Sequence, residues 1–476
     1  RCSGENKEET PKMKKRMVSL LLVLVMLLGL LPTAALAAPA SGGSGTEADP
    51  YLIATAQDLA DFRDAVNGSA KKSTSKLCAK LTANSDLGTE AWTPLGQMTN
   101  TYSEYVAFGG VFDGDGHTIS GLKIDNSAQY QALFGYVKGG TIKNLTVEGS
   151  VTTATTSSAY AAGIVAYGYP VTLENCTNKA SVTATGAGNV AGVVAYAYTG
   201  SKITNCSNQG AVLGKGGNVG GIVGSASGVT MANCINSGEI TSTAASSTST
   251  TGIGGIAGTF SGSTASIERC GNTGTVTSAL KRTAGVVGYF SGTMTACFNN
   301  GSITGIYGSG GIVGAASSKE TKITDCYNTG NLLCKTPTAT FSDSGAKGFG
   351  GIIGDSGFYF NTGNLVKNCY NAGTITNEGT TTGITVGGVI GSSSGKKSSG
   401  EVPGLISAEN CYYLVADGLN GDGANAEAAG VTSKTAEELK SPDMVTSLGG
   451  SYIAQTDGYP MLGWQNPNAE YTVTFT

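Results

Sequence analysis

Between residues 162 and 391 the chain says one phrase eight times. Each copy opens with a small residue, a Gly and two apolar residues, usually followed by another Gly. The copies are Ala162-Gly163-Ile164-Val165, Ala191-Gly192-Val193-Val194, Gly220-Gly221-Ile222-Val223-Gly224 and Gly254-Gly255-Ile256-Ala257-Gly258. Ala284-Gly285-Val286-Val287-Gly288, Gly310-Gly311-Ile312-Val313-Gly314, Gly350-Gly351-Ile352-Ile353-Gly354 and Gly387-Gly388-Val389-Ile390-Gly391 complete the set. Each leads to an apolar-x-x-Cys or apolar-x-Asn-Cys phrase, most closed by Asn-x-Gly and a β-branched pair. Recurrence on this scale marks an array that lengthens by stacking, because no single unit can bury its apolar face alone.

The cysteines measure the unit. Cys176, Cys206, Cys234, Cys270, Cys297, Cys326, Cys369 and Cys411 are separated by 30, 28, 36, 27, 29, 43 and 42 residues. A base length of about 28 residues suits the short strands and turns of a parallel β-helix. The longer intervals hold inserts rich in Ser, Thr, Gly and Lys at 242–251, 336–348 and 392–404, read as loops leaving the coil. Within one unit, Ile222-Val223, Val229-x-Met231 and Glu239-Ile240-Thr241 read as three strands. Asn236-Ser237-Gly238 reads as a turn in left-handed backbone, which Asn and Gly adopt at low cost. The expected fold is all-β: a right-handed parallel β-helix of about ten coils, on the order of 50 Å long at one strand spacing per coil. Asp113-Gly114-Asp115-Gly116 marks a tight turn in the first coil.

Five segments are expected. Residues 1–37 are a pre-sequence and secretory signal: Lys14, Lys15 and Arg16, an apolar run over 18–31, then Ala35-Leu36-Ala37 as a small-residue cleavage site. Residues 38–107 form a lead and N-terminal cap. It includes a helix at 55–68, where Thr55 and Asp58 make a capping box and Leu59, Phe62 and Val66 share a face. The repeats occupy 108–414. A C-terminal cap follows at 415–466, with a short helix capped by Thr435 and Glu438 and an aromatic close ending at Trp464. Residues 467–476 are a linker or the start of a further module. After signal cleavage no second apolar run offers a membrane span.

Composition narrows the function. The net charge is −4, which argues against nucleic acid. The chain has one histidine, His117, so a HExxH metal motif or a catalytic triad is hard to assemble.

The unit Gly-Gly-Ile-Val-Gly…Ile-Thr-Asn-Cys-x-Asn-x-Gly resembles the GLUG-motif repeat of bacterial exported proteins. Such repeats occur in adhesin-like surface chains and in the non-catalytic part of proteins similar to IgA peptidases. Asp49-Pro50-Tyr51-Leu52-Ile53, Phe112-Asp113-Gly114 and Tyr459-Pro460…Trp464 also resemble that family's framing, so the likeness runs from Asp49 to Trp464. It implies export and a cell-surface or secreted role, with no cofactor and no catalytic residue carried by the motif.

Three groups remain as candidates. The eight cysteines favour a column of small buried thiols; disulfides and metal are the alternatives, and one Cys per coil without a nearby His fits metal poorly. Asp113 and Asp115, beside His117, favour turn chemistry over a two-carboxylate site or a calcium site. Tyr167, Tyr169, Tyr196, Tyr198 and Tyr289 follow the apolar strand and are candidate contacts for sugar rings or a partner; Tyr327, Tyr370 and Tyr412, after the cysteines, favour packing. The function expected is a non-enzymatic β-helical rod that binds an extracellular protein or glycan, as a monomer or part of a longer chain. The alternative is the stalk or targeting module of a larger secreted peptidase or glycan-degrading enzyme.

Overall fold

A computed structural model describes residues 42–466 apart from 99–103, 156–157, 187, 244–250, 317–320, 337–346, 356–362, 380–381, 394, 398–399, 403–405 and 425–427. The expected signal segment, the tail at 467–476 and much of the three inserts lie outside the described residues. The chain winds into a parallel β-solenoid. Its first sheet stacks 12 strands, from Tyr51–Ile53 to Ile406–Glu409, one per rung. Two further sheets complete the walls.

One rung shows the plan. Gly217–Gly220 and Val223–Ser227 lie in the second sheet, Thr230–Ala232 in the first, and Ile235–Asn236 and Ile240–Ser242 in the third. A rung is therefore five short strands, where three were expected, because the wall bends at Gly221-Ile222 and again at Ser237-Gly238. The next rung repeats this in register: Val223 pairs with Ala257, Met231 with Ile267, Asn236 with Asn272 and Ile240 with Val276. In-register parallel pairing places like residues above one another about 4.8 Å apart. One interior column accordingly reads Phe112, Ile142, Leu173, Ile203, Met231, Ile267, Met294 and Ile323, all at most 2% exposed.

Asn-x-Gly plays a different part from the one its composition announces. Asn236 and Gly238 have no positive φ; the left-handed residue is the one before each Cys, such as Asn175 (φ 54°), Asn205 (φ 54°) and Asn233 (φ 56°). Asn236 instead points inward, at 0% exposure, within a ladder of side-chain amides. Each amide Nδ2 donates to the Oδ1 of the next rung: Asn178 to Asn208 (2.8 Å), Asn208 to Asn236, Asn236 to Asn272, Asn272 to Asn299, Asn299 to Asn328 and Asn328 to Asn371 (all 2.7 Å). The second Nδ2 proton goes to the carbonyl two residues on, as from Asn236 to Gly238 (2.9 Å). Both donors of each amide from Asn178 to Asn328 are thus satisfied, which burial demands.

The repeated Gly is the other half of this arrangement. A methyl added at Gly163, Gly192, Gly221, Gly255, Gly285, Gly311 or Gly351 would lie 1.9–2.7 Å from the ladder Asn of the same rung and 2.0–2.8 Å from the carbonyl of the Gly one rung on. The coil with Ala132, aligned through Phe134 and Val165, carries Val147 in place of the Asn. At the other end Tyr413 takes the Asn position, beside Gly388 and bonded through its hydroxyl to the Leu419 carbonyl (3.1 Å).

Helix α1 (Ala56–Asn67) has the expected capping box, Thr55 with Asp58. Its buried Leu59, Phe62 and Val66 join the core, with Phe62 against Phe108 and Phe112. The C-terminal cap, with α2 (Ala436–Lys440) and α3 (Pro442–Leu448), lies along the flank of several rungs. Trp464 Nε1 donates to the Ala296 carbonyl (2.9 Å), Gln465 pairs with the Tyr327 hydroxyl (2.9 Å) and the Tyr452 hydroxyl reaches the Asn368 carbonyl (2.9 Å). Phe298, Tyr327 and Tyr370 form the stacked surface on which it rests. Gly255→Ala should lower stability by about 3 kcal/mol through overpacking, read by urea denaturation. Gly450→Ala, where a methyl meets nothing within 4 Å, should be close to neutral.

Candidate functional site

The eight cysteines occupy one corner of the rung, between the first and third sheets, and are at most 1% exposed. All eight are free thiols, as are Cys78 and Cys334, which the repeat spacing did not single out. Each Sγ lies 3.1–3.4 Å from the carbonyl two residues earlier, as for Cys326 with Thr324 (3.1 Å). The column is also linked vertically: the Cys297 amide donates to Cys326 Sγ and the Cys326 amide to Cys369 Sγ, both at 3.4 Å. Burial pushes Cys297, Cys326 and Cys411 well up. Hydrogen bonds from Cys176 and Cys234 pull Cys206 down. An anion in this column would nonetheless sit in a dry interior with no counter-ion, so we assign the neutral thiol throughout.

Outside this corner runs a second amide column, which sequence reading missed although the Asn before five of the eight cysteines was its signal. Asn144 donates to Asp113 (2.9 Å), Asn175 to Asn144 (2.9 Å), Asn205 to Asn175 (3.0 Å) and Asn233 to Asn205 (2.9 Å). Arg269 Nε extends it onto Asn233 (2.8 Å), and Ala296 interrupts it. These residues combine a tolerated left-handed backbone with an amide that bonds the rungs on either side.

Asp113 and Asp115 terminate that column. Asp113 Oδ1 accepts from the Asp115 amide (2.9 Å) and from Asn144, while Oδ2 faces Lys143 at 3.3 Å. Asp115 pairs with Lys80 (3.0 Å) in left-handed backbone. Burial works against ionisation of Asp113, but Asn144, the Asp115 amide and Lys143 outweigh it and hold the carboxyl below its ordinary range. The His117 amide closes the turn onto Gly114 (2.8 Å). Both carboxylates are engaged by lysines. Among the described residues, no group of three or more His, Cys, Asp or Glu side chains is placed to hold a metal ion.

The structure brings four of the five tyrosines together. Tyr167 and Tyr196 stack with centroids 4.9 Å apart at 17°, and Tyr169 and Tyr198 at 4.6 Å and 22°. Tyr105, Tyr130, Tyr136 and Tyr160, absent from the sequence reading, widen the cluster. Tyr289 shares the Tyr167 column but stands apart, past Ser225 and Thr259, with the Arg282 guanidinium 4.8 Å from its ring centre. Stacked rings give their faces to each other, so this array offers mainly edges. Tyr169 and Tyr198, 38% and 37% exposed, are the most open to solvent, and Tyr105, Tyr160 and Tyr196 are half-buried. An open cleft at the N-terminal end runs between Ser44–Glu47 and Lys76-Leu77-Cys78, walled largely by backbone and small side chains.

No family model matches the chain. A stretch of 147 residues is 33% identical to halomucin of Haloquadratum walsbyi, covering 30% of this chain and 2% of halomucin. Over 133 residues it is 29% identical to a "Putative Gly-rich membrane protein" of Evansella cellulosilytica, covering 28% of this chain and 15% of that protein. The matched stretch is thus a small part of either relative. A crystal structure described as a "putative immunoglobulin A1 protease" from Bacteroides ovatus superposes on 89% of this chain and 94% of its own, at 19% identity and a TM-score of 0.36. Among the described residues, no helix is long and apolar enough to cross a membrane.

Cys334, packed with Ile303, Leu332 and Phe349, is pushed up to about 12 by burial alone. The unfolded thiol ionises first, so its stabilising contribution is present below pH 9 and is lost as pH rises toward 12. Urea titrations across that window should show a smaller alkaline loss for Cys334→Ala than for the parent. Buried Tyr370 and Tyr452, with the thiols of Cys297, Cys326 and Cys411, are also raised by burial and supply the slope that remains.

Proposed function

We propose that this chain is a non-enzymatic binding rod exported to a bacterial cell surface, where it presents its lateral faces to an extracellular partner. The observation that carries the reading is the division of labour within each rung. Interior positions go to apolar columns, thiols and bonded amides, while outward positions on the first and third sheets keep polar rows along the solenoid, as at Thr172, Lys202 and Thr230 and at Thr241, Thr277 and Thr304. A surface built from repeated rungs suits many weak, parallel contacts along an extended partner. The names of the two sequence relatives, a halomucin and a Gly-rich membrane protein, favour the cell surface. The likeness to GLUG-motif repeats points the same way, and a leader with Lys14, Lys15 and Ala35-Leu36-Ala37 would take the chain there. That the matched stretches are 2% and 15% of those relatives favours a rod used as one section of a longer surface chain.

Adhesion of beads coated with the full chain tests this. They should hold to a mucin-coated surface under flow at least severalfold better than beads coated with albumin. Cleavage of immunoglobulin A1 by the chain, without adhesion, would contradict the reading.

A further inference from the structure

The outer face of the third sheet carries a feature that neither the cysteine spacing nor the tyrosines announce. Along its last strand in each rung, one outward position is occupied by Thr152, Thr183, Thr241, Thr277, Thr304 and Thr376. The strand pairings place them in a single row, interrupted by Leu213 and Leu333. The burial alternates as the pleat requires: Val276 and Ser278 point in while Thr277 is exposed, and Val182 and Ala184 point in beside Thr183. Two residues earlier runs a parallel row that includes Ser181, Thr275, Ser302 and Thr374, all exposed. Several rungs therefore read hydroxyl-apolar-hydroxyl, as in Thr275-Val276-Thr277 and Thr374-Ile375-Thr376.

This double row forms a lattice, with about 4.8 Å between rungs and about 7 Å between rows, running for roughly 35 Å. Among the described residues, the hydroxyls of Thr183, Thr277, Thr304 and Thr376 make no side-chain hydrogen bond, so they meet solvent with their donors and acceptors available. From Thr152 to Thr376 the two rows carry one charged residue, Glu239. A charged partner would find only isolated charges of both signs, Glu239 within the rows and Lys215, Lys335 and Glu378 beside them. A protein partner would lack the aromatic and Arg anchors that concentrate binding energy at such interfaces. A threonine side chain presents a donor, an acceptor and a methyl group, and a pyranose presents hydroxyls and C–H faces. Leu213, 36% exposed within the row, adds an apolar station for a sugar ring.

We propose that this face binds a neutral polysaccharide laid along the solenoid axis, with successive sugars meeting successive rungs. The proposal rests on the reading of the chain as a lateral binding rod and names the class of partner. Because each contact is weak, affinity grows with the number of rungs engaged, and short oligosaccharides bind far more weakly than polymer.

Native gels cast with neutral polysaccharides (hydroxyethylcellulose, xyloglucan, galactomannan or dextran) test it, with polygalacturonate as the anionic control. The full chain should be retarded in at least one neutral gel and run freely in polygalacturonate. Thr277→Lys and Thr304→Lys, each with an unchanged melting temperature, should lose retardation at least tenfold. Thr172→Lys, outward on the first sheet, should keep it. Free migration in all four neutral gels, or retardation indifferent to both third-sheet variants, would overturn the proposal. So would ice shaping by the chain without polysaccharide retardation, which would assign the lattice to ordered water. Mucin adhesion that survives while neutral gels stay silent would overturn this face's partner and leave the rod reading standing; loss of both would remove the rod reading as well.

Discussion

A side-chain amide bonded to the amide above it is the contact on which this solenoid is built. Six Asn–Asn hydrogen bonds of 2.7–2.8 Å run from Asn178 to Asn371 through an interior whose other columns are aliphatic, aromatic and thiol. An unpaired amide there would cost about 1–3 kcal/mol, so each rung needs its neighbour for polar satisfaction as well as for apolar burial. The ladder also sets the register. A slip by one residue would turn the amides outward and the apolar neighbours with them. Glycine is the steric condition for it, because the Asn and the carbonyl of the Gly one rung on share the volume a Cβ would take at Gly221 or Gly255.

Much of this was legible in the residues. The eight-fold phrase led to a stacked parallel array, and the Thr55–Asp58 box to a helix at the N-terminal end. The Asp113-Gly114-Asp115-Gly116 run led to a turn. Other features were hidden for physical reasons. Asn-x-Gly is a left-handed turn signal in most sequences, and in this chain neither residue is left-handed. The Asn before Cys holds that conformation, while the Asn after Cys is buried. By composition a buried Asn is unfavourable; only the partner one rung away reverses the sign, and that partner is 27–43 residues distant. The lateral course of the C-terminal cap was hidden for a similar reason. The aromatic run before Trp464 announces burial but does not say against which face, and Phe298, Tyr327 and Tyr370 supply the answer. The tyrosine cluster was half visible: Tyr167 and Tyr196 share a repeat position, whereas Tyr105, Tyr130, Tyr136 and Tyr160 join them only through the winding.

The same architecture directs attention outward for function. Interior thiols and amides are committed to holding rungs together, and both carboxylates of the first-coil turn are held by lysines. The lateral walls differ in character: stacked tyrosines on early rungs of the second sheet, the C-terminal cap along part of the third, and hydroxyl rows on the rest of the third. A rod that varies its walls while keeping its interior can change partners without changing fold.

The dependence of the Gly on the Asn is the claim to test most directly, by a double-mutant cycle on one rung. Unfolding free energies would be measured for Gly255→Ala, Asn272→Val and the pair, Ala with Val being the combination found at Ala132 and Val147. Steric dependence predicts that the double variant loses at least about 1 kcal/mol less than the sum of the single losses. Additive losses would mean that the Gly285 carbonyl, 2.2 Å from the added methyl, excludes a side chain at Gly255 without help from the amide, and would contradict the claim that the buried Asn is what requires the Gly.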